Sequence, residues 1–458
     1  HGGLVSSHLF SGKNSVLSGP AGGVVGTART AEKNSRKRVI GFDMGGTSTD
    51  VCHYAGQYER QFENEVNGVK LNIPMMAIET VAAGGGSVVD FDGVNMRVGP
   101  ESAGSNPGPA CYKKGGPLTV TDCNVLLGKI RPGYFPKTFG VDNKQEIDNA
   151  EVIKKFESLT KAINDSTDTD MSSEDVAEGF IHIAVSKMAD AIRKISTQKG
   201  IDLSNYVLNC FGGAAGQHAC QVADALGIST ILIDENASLL SAVGVGCAKI
   251  AEIKEETINI QFSEKALQRT RTRVLEVKKQ LSKKLLEQGI VEENQETLIS
   301  FRLKYEGTDD SLEVTLASYR EMNSQFEKKY NERYGFLEKD SAIIIASVLV
   351  ETIGQEDKGD ESFPVELRAE PKTIGEHKVF FGGQEEIIPF YSEEAIQAGN
   401  KPITGPIVVI NNTNTIVVER AWSIRKTKEC CFILERNLEK NVQSPNYYDT
   451  IQLELFSN

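Results

Sequence analysis

Residues 41–51 read GFDMGGTSTDV. Val39, Ile40 and Phe42 carry a short buried-strand pattern into Asp43, and the chain then turns through Gly45 and Gly46 into three hydroxyls, Thr47, Ser48 and Thr49. Adjacent glycines let backbone N–H groups approach an anion with no Cβ in the way. Asp43 is placed to hold Mg²⁺ or a water, and the hydroxyls can bond phosphate oxygens. An ordinary tight turn needs only the two glycines. Two acids, Asp43 and Asp50, and three hydroxyls packed round them favour phosphate binding.

A second unit of the same kind stands at residues 206–228, YVLNCFGGAAGQHACQVADALGI. A buried-strand run over 207–211 meets Gly212 and Gly213 and continues as a small-residue helix over 214–226. A strand at 230–234 completes a βαβ unit, the geometry that receives a phosphate at a helix N-terminus. The unit lacks the GxGxxG spacing of a dinucleotide fold and the GK[ST] of a P-loop. His218 on this helix is open to either a site role or a structural one.

Other stretches surround these two. SGPAGGVVG (18–26) opens a helix that packs closely or meets an anion at its N-terminus. ETVAAGGGSVV (79–89) places a flexible turn at Gly84, Gly85 and Gly86 beside a strand-like run. In VGPESAGSNPGPACY (98–112), Pro100, Pro107 and Pro109 predict a pinned loop without regular structure, suited to lining a site. In LTVTDCNVLLGKI (118–130), Asp122 stands near a strand-to-helix junction as an N-cap or a site residue. Residues 141–172 are polar and carry no readable chemistry. Ser172 with Asp175 predicts a capped helix carrying Ile181, Val185, Met188, Ile192 and Ile195 on one face.

Near Ile250 the composition changes to a charged surface helix, capped by Ser263, with Leu267, Val274, Val277, Leu281 and Leu285 as its apolar face. Strands are predicted at 298–305, 311–316 and 342–352, and a hairpin at 407–412 and 415–420 about a Thr413-Asn414 turn. The 458 residues suggest roughly three domains. A net charge of −13 argues against nucleic acid or an anionic membrane as partner. No apolar run is long enough to span a membrane and no signal segment opens the chain, so a cytoplasmic location is expected. Eight scattered cysteines without CxxC pairs suit reduced thiols better than disulfides or structural zinc. The chain opens on His1, which reads as a fragment or a processed chain.

In order, SGPAGGVVG, GFDMGGTSTDV, ETVAAGGGS, VGPESAGSNPGPACY, LTVTD, CFGGAAGQHA (210–219) and LSAVG (240–244) resemble the hydantoinase A/5-oxoprolinase family, most closely its ATP-dependent 5-oxoprolinase branch. RLKYEGTDDSLEV (302–314) and ERYGF (332–336) extend the likeness. The resemblance implies an α/β fold: an actin/Hsp70/sugar-kinase-like (ribonuclease H-like) ATPase domain over 1–255, followed by a smaller α+β domain over 256–375. A β-rich C-terminal segment over 376–446 and the start of a hydantoinase B-like region over 447–458 would complete the chain.

The same resemblance implies ATP and Mg²⁺ as cofactors and a cyclic amide, 5-oxoproline, as substrate. Asp43 would hold the metal, and Asp43, Thr47 and Asp50 would serve catalysis. Gly45, Gly46 and Thr47 would contact the phosphates, with Gly84, Gly85, Gly86, Gly212, Gly213, Ala214, Gly216 and His218 as further nucleotide contacts. A fused hydantoinase B-like half and homo-oligomerisation are expected. Family members carry an earlier domain with its own phosphate loop, so this chain would hold half of the ATP cleft and be inactive alone. A hydantoin hydrolase or the ATPase subunit of a ketone carboxylase shares these motifs. A nucleotide-gated assembly module is the alternative from another class.

Overall fold

The computed structural model describes residues 3–4, 18–66, 69–355, 370–411 and 413–437. The stretch at 447–458 therefore lies outside the described residues. Local apolar alternation builds an eight-stranded sheet in the order Ile403–Thr404, Trp422–Lys426, Cys431–Arg436, Thr230–Asp234, Val207–Phe211, Val39–Met44, Thr49–Tyr54 and Ile78–Val81. Val207–Phe211 runs parallel to Val39–Met44 on one side and to Thr230–Asp234 on the other. The outer strands are antiparallel.

Successive side chains of a strand face opposite sides, and here both sides are covered. Ile40, Phe42 and Met44 enter a core with Phe156 of helix Asn149–Thr167 and Phe180, Met188 and Ile192 of helix Ser173–Lys199. The second of these begins with the expected box: Ser172 accepts from the Asp175 N–H, and the Asp175 carboxylate accepts from the Ser172 N–H. The polar stretch before it is also helical, capped by Asp148. On the other side, Val39 packs on Ala28 and Ala31 of helix Ser18–Lys33. That helix crosses helix Leu240–Cys247 backbone to backbone, because a Cβ at Gly244 would fall on the Gly22 carbonyl and 2.7 Å from the Gly26 nitrogen.

A second sheet, ordered Ala251–Gln261, Ile343–Gly354, Gln295–Tyr305 and Leu312–Thr315, is antiparallel throughout. Helix Glu264–Glu287, capped by Ser263 as expected, buries Val274, Val277, Leu281 and Leu285. Val274, Val277 and Leu281 pack in one cluster with Phe301, Leu303 and Val348 of the sheet and with Met322 and Phe326 of helix Tyr319–Tyr334. A bidentate pair between Arg60 and Glu351, both nearly buried, ties the hairpin beginning at Arg60 to this sheet at 2.6 and 2.9 Å.

The small-residue helix expected over 214–226 begins only at Ala219, after a 3₁₀ turn at Ala215–Gln217, and two features of the sheets also depart from the sequence reading. Pro100 lies inside strand Met96–Ser102, which pairs with Ser87–Phe91; it stands where the register shifts between Val89 and Ser87, and a missing N–H is tolerated at such an irregularity. The C-terminal β-rich stretch divides between two sheets. Thr373–Phe381, Gln384–Ser392, Ile407–Ile410 and Thr415–Val418 form a four-stranded sheet of their own, with the expected hairpin at its end. Trp422–Lys426 and Cys431–Arg436 instead extend the central sheet. Ile407, Val409, Ile416 and Val418 join the main core, so the small sheet is welded to the central one by its inner face. All eight cysteines are unpaired. Among the described residues no helix is long and apolar enough to cross a membrane.

The glycine crossing gives the first expected outcome. Gly244→Ala forces two helix backbones apart and lowers unfolding free energy by about 2–3 kcal/mol in denaturant titration. Gly246→Ala, with open space around its Cβ, leaves stability unchanged or raises it by up to about 1 kcal/mol.

Candidate active site

The turn after strand Val39–Met44 closes when the Gly45 N–H donates to the Ser48 carbonyl at 3.0 Å. Two other segments then grip it through its backbone. Met44 O accepts from Ala214 N–H at 3.1 Å, Gly45 O from Gly85 N–H at 3.0 Å, and Gly46 O from Gly86 N–H at 2.6 Å. Such contact demands glycine. A Cβ at Gly84 would lie 2.8 Å from the Gly46 carbonyl carbon, and one at Gly212 would lie 2.5 Å from Asp43 Oδ1. Gly212 also sits at φ +88°, which side chains resist.

With three successive carbonyls tied inward, the turn presents its N–H groups outward. Gly46, Thr47 and Gly213 are exposed, and their N–H groups have no acceptor among the described residues. Backbone donors clustered in this way form a concave anion site. The turn at 84–86 is itself fixed from behind: Gly85 O accepts from Thr121 N–H and Oγ1, both at 2.8 Å, and the Gly84 N–H donates to Ser87 Oγ at 2.9 Å.

Asp43 and Asp50 face each other across the hairpin. They line a narrow crevice with Pro20, Gly23 and Val24 of helix Ser18–Lys33 and with Phe211. Burial pushes the Asp43 carboxyl above its usual range, the Ser241 hydroxyl donating to Oδ2 at 3.0 Å opposes this, and the Asp50 charge adds to the rise. Asp50 accepts from Thr80 Oγ1 at 2.5 Å. Among the described residues no Lys or Arg lines the crevice. Two facing carboxylates and a hydroxyl, without a counter-charge, make a hard-oxygen set that fits a divalent cation such as Mg²⁺. Among the described residues no cluster of three or more His, Cys, Asp or Glu could hold a metal unaided, so water or phosphate oxygens would complete the shell.

A separate cleft of about 320 Å³ borders the glycine turns. Gly45, Gly46, Gly85, Gly86, Gly213 and Ala214 form one part of its lining. Gly84 and Gly216 stand behind it at points of backbone contact. His218 is fully buried, and burial with the nearby Lys129 charge depresses its pKa to about 3.

Several residues shape the site in ways that their motifs do not reveal. Asp122 is not the N-cap expected: Thr119 is, and Asp122, three residues on, completes a capping box with it, while its carboxylate also accepts from the N–H groups of Ala110 and Cys111 at 3.0 and 2.8 Å, pinning the proline-rich loop. The Thr-x-x-Asp spacing signals the cap, whereas the loop contacts are non-local. Ser241, Gln217, Asn411, Thr413, Asn414 and Thr415 reach the site only through tertiary packing.

A mixed sheet with helices on both faces, carrying paired glycine turns at the ends of its parallel strands, defines an ATPase-like α/β fold. The Hydantoinase/oxoprolinase family profile matches residues 1–254, and the chain belongs to that family. It is 36% identical to 5-oxoprolinase 1 of Arabidopsis thaliana over 475 residues, covering 100% of this chain and 37% of that protein. The chain thus spans a little over a third of the length of this relative. The crystal structure of ATP-dependent caprolactamase from Pseudomonas jessenii superposes with TM-score 0.80 at 25% identity, covering 91% of this chain and 61% of that one. A nucleotide-free acetone carboxylase structure has the same fold, with TM-score 0.71 at 23% identity over 95% of this chain and 63% of that one.

The depressed His218 pKa sets a pH dependence. Below about pH 6.5 the unfolded chain takes up a proton that the folded chain refuses until about pH 3, so stability falls as pH drops through that window. Unfolding free energy measured from pH 7 to pH 4 is expected to fall in wild type with a component approaching 1.4 kcal/mol per pH unit, by about one proton. That component disappears in His218→Gln.

Proposed function

We propose that this chain is the ATP-using part of a cyclic-amide hydrolase, a 5-oxoprolinase that converts 5-oxo-L-proline, ATP and water to L-glutamate, ADP and phosphate. The observation that carries the reading is the set of exposed N–H groups at Gly46, Thr47 and Gly213, on turns that follow a half-buried carboxylate and border a ligand-sized cleft. Identity to a 5-oxoprolinase along the whole chain supports the substrate, and likeness to a caprolactamase supports lactam chemistry as a class.

An amide carbonyl is a weak electrophile. Transfer of the γ-phosphoryl group to its oxygen, with ADP leaving, polarises the carbon for attack by water; the ring C–N bond then breaks with the nitrogen leaving as the amine, and a second water hydrolyses the resulting acyl phosphate to carboxylate and phosphate. The backbone N–H groups of Gly46, Thr47 and Gly213 bind and orient phosphate oxygens, and Thr47 Oγ1 adds a donor beside them. Asp43 and Asp50, with Ser241, would hold a divalent cation, which neutralises charge developing on the transferred phosphoryl group. Gly84, Gly85 and Gly86 keep the turn rigid from behind. Gly212, Ala214 and Gly216 set the second turn against it, and His218 supports that turn from the core. The remaining polypeptide, including a hydantoinase B-like half, would complete the substrate site, and the whole assembles as a homo-oligomer.

In the full-length protein, Asp43→Asn is expected to lower 5-oxoproline-dependent ATP hydrolysis by about 100-fold or more. Turnover within twofold of wild type would remove Asp43 from the mechanism.

A further inference from the structure

Three parts of the chain wall the cleft: Ile130, Tyr134 and Phe135 after helix Val120–Leu126, Thr413 and Thr415 of the small C-terminal sheet's hairpin, and Gln217 of the second glycine turn. Backbone contact joins the first wall to the small sheet. Leu127 O accepts from the Phe380 N–H at 2.9 Å, and Gly128, at φ +77°, lies so close that a Cβ there would fall 2.6 Å from the Lys378 carbonyl oxygen. Lys129 comes next and is enclosed at this seam, 1% exposed, with its ammonium 4.6 Å from the Phe381 ring centroid. Glu419 Oε1 stands 3.8 Å away, beyond hydrogen-bond reach. Among the described residues the ammonium has no hydrogen-bond acceptor, and Glu419 Oε1 is buried without a donor.

A further buried charge crowds the pair. Glu178 of helix Ser173–Lys199, its carboxylate accepting from the N–H groups of Gly382 and Gly383 at 2.7 and 2.9 Å, holds the first hairpin of the small sheet. Burial pushes the Glu419 carboxyl above its usual range, the Lys129 charge opposes this, and the Glu178 and Asp224 charges add to the rise. Taking two charges from water is offset only when hydrogen bonds complete the pair, and here they do not, so the pair is a poor stabiliser. Its placement is more telling. Lys129 immediately precedes Ile130, and Glu419 follows strand Thr415–Val418, whose first residue lines the cleft, so one pair ties two walls together. The third wall is tied through His218. Burial and the Lys129 charge hold that imidazole neutral, its Nε2 lies 3.3 Å from Asn124 Nδ2, and the same Nδ2 donates to Gln217 Oε1 at 2.8 Å. With Oε1 engaged, Gln217 meets a ligand through its Nε2 hydrogens.

We propose that Lys129, paired with Glu419 across the seam, is a positioning residue that fixes the three cleft walls for phosphoryl transfer without touching a ligand. This rests on the phosphoryl-transfer reading above. The pair then serves geometry rather than stability. Neutral side chains of similar volume escape the desolvation penalty and hold the fold at least as well, but they let the walls shift against one another. Turnover is sensitive to such shifts, because the reacting atoms must be held in near-attack positions.

The test is the double variant Lys129→Met/Glu419→Gln in the full-length protein, which removes both charges together. Its thermal unfolding midpoint is expected to equal or exceed that of wild type. Hydrogen exchange read by mass spectrometry is expected to quicken by about tenfold over 130–136 and 413–420 and to stay unchanged over 39–54. The kcat/KM of ATP hydrolysis dependent on 5-oxoproline falls by about tenfold or more. A double variant that unfolds at a lower temperature makes the pair a structural one and overturns the proposal. So does a variant that keeps either wall exchange or kcat/KM within about twofold of wild type. If wild type shows no 5-oxoproline-dependent ATP hydrolysis, the phosphoryl-transfer reading fails by itself, and the exchange and unfolding results decide whether the pair fixes the walls.

Discussion

Three consecutive carbonyls, on Met44, Gly45 and Gly46, are bonded to N–H groups of two other segments. This interaction governs the site. With carbonyls drawn inward, the N–H groups of Gly46 and Thr47 can only face solvent, and a surface of backbone donors suited to an anion follows from backbone geometry alone. It also explains why glycine recurs at 84 and 86 and at 212: backbone must lie on backbone, and a Cβ at Gly84, Gly86 or Gly212 would land on the turn. The platform needs support from outside itself, which Thr121 supplies behind Gly85 and the Asp122 carboxylate supplies for the loop beside it.

Charge is organised around the same turn. The chain carries −13 overall, and its concentrated negative feature near the platform is the Asp43 and Asp50 pair. Neutral backbone donors hold anions without adding charge, while Asp43, its pKa raised by burial and by the Asp50 charge opposite, gains from a divalent cation. Donors on one side of the turn and acids on the other suit a ligand that is itself an anion complexed with a cation.

Much of this was legible from residues alone because it is local. Strand runs ending in paired glycines, the Ser172 and Asp175 box and the Ser263 cap are written in contiguous spacings, and the structure builds them where the spacing puts them. What stayed hidden depends on distant partners. Strands 422–426 and 431–436 carry the same alternation as their neighbours, and nothing local says that the second pairs with Thr230–Asp234. Pro100 argued against a strand, yet its missing N–H falls where the ladder is already irregular. Asn414 and Gln217 are ordinary amides until a turn from the core and a loop from the last sheet bring them to one cleft.

The account stands on the claim that the glycine platform is where phosphate binds. A crystal structure of the full-length protein with Mg²⁺ and a non-hydrolysable ATP analogue tests it most directly. Phosphate oxygens within hydrogen-bond distance of the N–H groups of Gly46, Thr47 and Gly213, with the cation on the Asp43 side, is the predicted result. A nucleotide bound elsewhere, with those N–H groups solvated by water alone, would contradict it.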